Sequence, residues 1–216
     1  MSAKDFWETR YAESDAVWSG RVNAVLADVA GSLAPGRALD VGCGEGGDSI
    51  WLAKQGWSVT GVEISELALS RAAAAANAEG CADRIRWVSA DLATWVPDGT
   101  YDLVSACFFQ SPIELPRADV LRRLAEAIAP GGRLLIVSHH TAPPWSRIAH
   151  GNTVGHEHAP HLPSAAEEVA DLGLTGPDAQ ESWITEIAEE RPRDVTGPDD
   201  QHATIHDAVV LLRRRA

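Results

Sequence analysis

Residues 37–47 read Arg-Ala-Leu-Asp-Val-Gly-Cys-Gly-Glu-Gly-Gly: a short apolar run meets an acid and then a glycine-dense turn. A helical pattern follows at once, over residues 48–55. In a strand–turn–helix of this kind, free N–H groups and the partial positive charge of the helix start face a ligand. Glycine lets the backbone approach that ligand because no Cβ intervenes. Two spacings fit. Gly42, Gly44 and Gly47 match the G-x-G-x-x-G of dinucleotide-binding turns, while Gly42, Gly44 and Gly46 match G-x-G-x-G with Asp40 two residues ahead.

Asp40 separates the two. A dinucleotide would bring a pyrophosphate to this turn, and a carboxylate at the strand end repels it. S-adenosylmethionine brings an ammonium and a sulfonium, which a carboxylate attracts. On these residues the chain resembles the class I S-adenosylmethionine-dependent methyltransferases, whose first motif is an acid followed by G-x-G-x-G. The resemblance implies that Asp40 and the turn (Gly42, Cys43, Gly44, Gly46) hold the methionine end of S-adenosyl-L-methionine.

Strand and helix patterns alternate outward from this turn. Strands are expected at 38–41, 58–62, 84–88, 101–106 and 133–138, with helices at 48–55, 66–79 and 117–128. The helix at 66–79 contains the alanine run 72–76 and starts behind Ser65, a good N-cap. Such alternation means βαβ units and a parallel sheet covered on both faces. The last third differs: a helix at 164–172, then strands at 183–190 and 204–212 joined by a connection holding Pro192, Gly197 and Pro198. Two consecutive strands suggest an antiparallel hairpin. The resemblance then implies an α/β, Rossmann-like, doubly wound sheet of seven strands in the order 3-2-1-4-5-7-6, with strand 7 antiparallel.

Ligands of open parallel sheets lie beyond the strands' carboxyl ends, so the residues following each strand define the rest of the site. After the second strand, Glu63 and Ile64 stand where a carboxylate can accept from both hydroxyls of a ribose. Nicotinamide enzymes grip ribose in the same way, so Glu63 indicates an adenosine ligand without choosing between the two; a helix-start acid is its structural alternative. After the third strand, the resemblance places Asp91 on the adenine amino group and the backbone N–H of Leu92 on the ring; Asp91 also suits a helix N-cap. After the fourth, Cys107-Phe108-Phe109-Gln110 borders both cofactor and acceptor. Cys107 has no base beside it in sequence, and direct methyl transfer needs no covalent enzyme intermediate, so packing is its expected part. Pro130-Gly-Gly-Arg-Leu-Leu-Ile-Val-Ser138 is similar to the entry into the fifth strand of this superfamily.

The amino-terminal stretch Phe6-Trp7-Glu8-Thr9-Arg10-Tyr11, with Trp18-Ser19-Gly20, is similar to the aromatic lead-in of the tellurite-resistance and thiopurine-type small-molecule methyltransferases. That likeness implies a helix folded over the cofactor, with Trp7 and Trp18 offering ring faces to a sulfonium. Docking of an amphipathic helix on the sheet explains the same aromatics. Beyond the fifth strand come His139 and His140, then His150, His156, His158 and His161. Three readings of this long connection stand: a solvated lid, substrate handling in which His139 and His140 act as acid or base, and a metal site from His156, His158, His161 and Glu157. The irregular spacing of the third lacks the helical i, i+4 pairing of a zinc motif, so no metal is expected.

Bulk properties bound the rest. The chain has 216 residues, 45% hydrophobic and 23% charged, with a formal net charge of −13. One methyltransferase domain is expected: a helical cover over 1–31, a cofactor core over 36–138, the histidine-rich loop over 139–163, and the final helix and hairpin over 164–216. The acidity argues against a nucleic acid partner. Arg213 to Arg215 form the one basic run, expected as an edge strand or frayed tail, and Arg10, Arg21 and Arg147 are candidates to meet an anionic acceptor. Cys43, Cys81 and Cys107 lack metal or disulfide spacing, and no uncharged apolar run reaches the roughly 20 residues of a membrane span. The composition and N-terminus fit a cytoplasmic protein without membrane partners. The expected reaction is methyl transfer from S-adenosyl-L-methionine to a small-molecule acceptor: a thiol, a metalloid oxyanion or a similar nucleophile. A nicotinamide-dependent oxidoreductase and a non-catalytic binding domain are the alternatives, and oligomeric state is left open.

Overall fold

The computed structural model describes residues 2–146, 161–175 and 182–216. Two short helices lead in, α1 (Ala3–Ala12) and α2 (Ala24–Ala30). They are followed by β1 (Arg37–Val41), α3 (Gly47–Lys54), β2 (Ser58–Glu63), α4 (Glu66–Ala78) and β3 (Ile85–Ser89). Then come β4 (Tyr101–Cys107), α5 (Arg117–Glu126), β5 (Ile128–His139), α6 (Ala165–Leu172), β6 (Trp183–Thr196) and β7 (His202–Arg214).

The strands form one sheet in the order β3-β2-β1-β4-β5-β7-β6, with β7 antiparallel to both neighbours. This is the Rossmann-like order the resemblance implied. β1 and β2 are buried along nearly their whole length, as strands covered on both faces must be. One core layer packs α5 and α6 through Val120, Leu121, Leu124 and Leu172; the other packs α2, α3 and α4 through Leu26, Leu52 and Ala76. Among the described residues, no helix is long and apolar enough to cross a membrane.

Local chemistry sets most boundaries. Ser65 caps α4 by accepting from the Ala68 amide at 3.1 Å, and Ser164 caps α6 in a reciprocal box with Glu167. Three boundaries differ from expectation. β5 begins at Ile128, which pairs with Tyr101 ahead of a bulge, rather than at 133. Pro192 lies inside β6, opposite His206, not in the connection; β6 is an edge strand, where a missing N–H is tolerated. The basic run is neither edge nor tail at Arg213 and Arg214, because β7 is an interior strand. Arg213 and Arg133 both hold Glu186 of β6, and Arg214 donates to the Ile128 carbonyl at 2.6 Å. Those arginines stitch the sheet together.

Candidate active site

The glycine turn joins β1 to α3 at the carboxyl end of the sheet, with the Gly42 and Cys43 amides both donating to the Val62 carbonyl. Gly42, Gly44 and Gly46 all have positive φ, whereas Gly47 does not. The conformational demand therefore falls on the G-x-G-x-G register. A Cβ on Gly47 would meet backbone atoms of Gly20 and Arg21 at 3.0–3.1 Å, so packing of the lead-in explains that glycine. At Gly44, with φ of 52°, a Cβ would come within 3.0 Å of the Tyr11 hydroxyl and 3.2 Å of Trp18 Nε1.

Behind the turn lies a set of acids. Asp40, 2% exposed, accepts from the Ser49 hydroxyl at 2.6 Å. Burial, with Asp48 adding repulsion, pushes its carboxyl up to about 8. Asp48, in the first turn of α3, accepts from the Asn23 amide at 2.6 Å and is likewise raised by burial. Among the described residues no basic side chain pairs with Asp40 or Asp48, so the turn has room for a ligand cation. Glu63, 6% exposed, accepts from the Gly44, Ile64 and Ser65 amides at 3.1, 2.8 and 3.0 Å. Burial outweighs these contacts and raises its carboxyl as well. Glu63 thus fastens the glycine turn to the start of α4 and stands at the β2 end where a diol would lie. The donor set fits S-adenosylmethionine: carboxylates for its cationic end and, farther along, one for its sugar.

The lead-in covers this turn. Trp18 donates its indole N–H to the Tyr11 hydroxyl at 3.0 Å, placing both rings over Gly44. Tyr11 is buried and its phenol is raised by desolvation, whereas Trp18 stays 53% exposed. Trp7 is half-buried, its ring centroid 6.1 Å from that of Tyr11. Two acids fix the cover. Glu45 of the turn accepts from the Val17 and Trp18 amides at 3.0 and 2.9 Å and pairs with Arg71 of α4 at 2.8 Å. Glu8 of α1 accepts from the Ser65 hydroxyl at 2.9 Å and the Glu66 amide at 2.7 Å, capping α4 from outside.

A cleft of about 270 Å³ runs from the start of α1 to the end of β3, lined by Ser2, Lys4, Ile64, Ser89, Ala90 and Asp91. Ile64 and Asp91 lie at its walls, where the resemblance puts adenine. Asp91 is exposed and uses one oxygen to cap the Ala93 amide at 2.8 Å. Leu92 is buried in the core, its carbonyl accepting from Arg123.

At the other end, Phe108 and Phe109 connect the glycine turn to the end of β5. A Cβ on Gly42 would touch the Phe109 ring at 3.0 Å. Phe108, at a positive φ of 55°, stacks on His139 with centroids 4.2 Å apart. Gln110 brackets the His139 backbone, accepting from its N–H at 2.8 Å and donating to its carbonyl at 3.2 Å. His139 Nδ1 lies 3.2 Å from Asp207 Oδ1, and Arg193 grips Asp207 with two nitrogens at 2.5 and 3.1 Å. His140 turns elsewhere: its Nδ1 lies 3.3 Å from the Leu162 carbonyl. Cys107 donates to Asp48, and burial pushes its thiol well above the ordinary range, so it carries no thiolate.

Arg147, His150, His156, Glu157 and His158 lie outside the described residues. His161 is within them, exposed and 3.5 Å from Glu167. Among the described residues, no three His, Cys, Asp or Glu side chains are grouped to hold a metal. Arg10 pairs with Glu13 on the surface, and the cation beside His139 is Arg193. Sequence reading had Tyr11 only as part of the aromatic lead-in and gave no role to Glu45, Asp48, Ser49, Arg193 or Asp207. Asp48 and Ser49 had a signal, two polar residues opening a helix behind the glycines; Arg193 and Asp207 had none, since cross-strand pairing in the hairpin brings them to His139.

Residues 38–132 match the family described as "Methyltransferase domain". Thiocyanate methyltransferase 1 of Arabidopsis thaliana is 31% identical over 148 residues, 64% of this chain and 65% of its own length. The chain spans that 65% of this relative and about a third of two others, at 36% and 34%. A structure described as "Conversion of a Disulfide Bond into a Thioacetal Group during Echinomycin Biosynthesis" is 25% identical, with a TM-score of 0.69, covering 98% of this chain and 93% of its own. The N-methyltransferase NodS from Bradyrhizobium japonicum WM9, in complex with S-adenosyl-l-homocysteine, shares the fold at a TM-score of 0.63 and 17% identity, over 99% of both chains.

Proposed function

We propose that this chain, which carries a class I S-adenosylmethionine-dependent methyltransferase domain, moves a methyl group to a small sulfur nucleophile in the cytoplasm. The observation that carries the reading is the Asp40–Asp48 pair, two acids at the glycine turn with no basic partner among the described residues. Thiocyanate in one relative's name and disulfide-to-thioacetal conversion in the words attached to another favour sulfur. The net charge of −13 disfavours nucleic acid as acceptor.

When bound, S-adenosylmethionine supplies a methyl group already activated on a sulfonium. The chain's own contribution is then positioning and exclusion of water. Asp40 and Asp48 meet the cationic end, Gly42, Cys43, Gly44 and Gly46 pass beneath it, and Glu63 takes the ribose hydroxyls. Ile64, Asp91 and Leu92 border the base. Tyr11, Trp18 and Trp7 close over the turn, and Phe108, Phe109 and Cys107 line the passage to the acceptor. His139 faces that passage as the acid or base, with His140 tying the strand end to Leu162 near the close of the histidine-rich loop.

Titration calorimetry with S-adenosylhomocysteine, with NADH as control, tests the cofactor. Micromolar binding of the first alone is expected; binding of NADH alone would overturn the reading. Turnover on a panel of thiols, thiocyanate, selenite and tellurite then tests the acceptor, and activity confined to the oxyanions would remove sulfur from the proposal.

A further inference from the structure

We infer that Asp207, clamped by Arg193, is a positioning residue that fixes His139 as an Nε2 proton acceptor, so the site is built for an acceptor that arrives protonated. This rests on the methyltransferase reading above and adds what the acceptor must be: a neutral thiol or similar protic nucleophile rather than a preformed anion such as thiocyanate.

The geometry assembles the pair from three strands. β5 ends at His139, β7 places Asp207 directly opposite it in register, and β6 contributes Arg193. Asp207 is buried while the His139 side chain is 40% exposed, so the carboxylate sits behind the ring and the far edge faces outward. The two Arg193 nitrogens hold both carboxylate oxygens, and these contacts, with that of His139, keep Asp207 below the ordinary carboxylate range. The ionised Asp207 Oδ1 at 3.2 Å is the nearer neighbour of Nδ1, ahead of Arg193 Nη2 at 3.5 Å, so Nδ1–H donates a hydrogen bond to it and Nε2 keeps its lone pair. The charged groups facing the ring are Asp207 from β7 and Arg193 from β6, and the carboxylate is the closer of the two. Phe108 stacks on one face of the imidazole and Gln110 holds its backbone. The residue after Phe108 packs on Gly42, so a single short segment links the ring's stacking partner to the glycine turn.

A free thiol keeps its proton near neutral pH, whereas thiocyanate carries none to lose. For a thiol, the S–H bond breaks toward Nε2 of His139, giving an imidazolium that Asp207 stabilises. The freed sulfur pair forms the S–CH₃ bond as the methyl's bond to the sulfonium breaks, its electron pair staying on the departing sulfur. The proton then leaves Nε2 for water.

Long-range ¹H–¹⁵N spectra of the free protein test the assignment without turnover, with His139 identified by its loss in H139Q. The Nδ1–H tautomer is expected, with the preference lost in D207N; an Nε2–H tautomer in the native protein overturns the proposal. Kinetics give the second reading. The thiol-to-thiocyanate ratio of kcat/KM should fall about 100-fold in H139Q and in D207N, within the usual range for removing a general base. Equal loss on both acceptors marks a merely structural pair and overturns it. H139Q alters an exposed ring edge, so it serves where D207N fails to fold. If the native protein binds no S-adenosylhomocysteine, the wider reading fails, and the tautomer alone decides this one.

Discussion

Ser49 of α3 donates its hydroxyl to Asp40 of β1 at 2.6 Å, and among the described residues no other side chain donates to this buried carboxyl. Such a carboxyl can serve the fold or, as proposed above, a ligand.

Asp40→Asn should therefore separate the two effects. Removing the charge should weaken S-adenosylhomocysteine binding roughly 10- to 100-fold, the worth of a hydrogen bond to a charged group. The free protein should become more stable at neutral pH. The sign follows from linkage: a carboxyl at about 8 in the folded state and near 4 unfolded contributes stability below pH ~4 that is lost as pH rises toward 8. Native apo protein should lose melting temperature across that window and the variant should lose less, by differential scanning calorimetry. A variant no more stable than the native protein at pH 8 contradicts the placement of Asp40.

Cofactor affinity should rise with pH for the same reason. Binding a cation at Asp40 requires the ionised form, so association releases a proton below pH 8. Calorimetry in buffers of different ionisation enthalpy should show that release, with affinity gaining up to about tenfold per pH unit between 6 and 8. A flat profile would mean that Asp40 is already charged in the free protein.

Gly44→Ala should destabilise the protein by about 1–2 kcal/mol through its left-handed backbone alone. Its new methyl also meets the Tyr11 hydroxyl, so the Tyr11–Trp18 contact should open and S-adenosylhomocysteine affinity should drop. Unchanged affinity alongside lowered stability would show that the cover does not contribute to binding.

Glu168→Gln should be among the more damaging changes outside the glycine turn. Glu168 is 2% exposed and accepts from Arg117 at 2.6 Å and from Ser138 at 2.6 Å, while Arg117 also holds the Phe109 carbonyl at 2.7 Å. Leaving Arg117 without its partner should cost about 3 kcal/mol in urea unfolding, and the double change to Met at both positions should recover most of it. Because Arg117 anchors the backbone at Phe109, the single variant should also raise the acceptor KM more than the cofactor Kd.

Local sequence was informative wherever one residue settled a backbone question. Asp40 and the glycine spacing distinguished two cofactor turns, Ser65 announced its helix, and strand–helix alternation followed by a hairpin gave βαβ units to which the family resemblance added the strand order. These are short-range signals, carried by turn sterics, capping and burial period. Where a strand's neighbours mattered, the same reasoning fell short. Nothing local says that Arg213 and Arg214 lie on an interior strand, or that Pro192 stays within one.

The acceptor side depended most on tertiary structure. Two adjacent histidines look equivalent in sequence, yet His139 closes β5 opposite Asp207 while His140 lies just past the strand end and meets Leu162. Arg193 and Asp207 lie 14 residues apart and reach His139, more than 50 residues earlier, only through the β5–β7–β6 register. The sequence by itself determined the glycine turn, because that rests on local backbone geometry and charge, and through its likeness to a family it implied the strand order. Which histidine has a carboxylate behind it was decided by strand pairing, a long-range choice that no short stretch of this chain encodes.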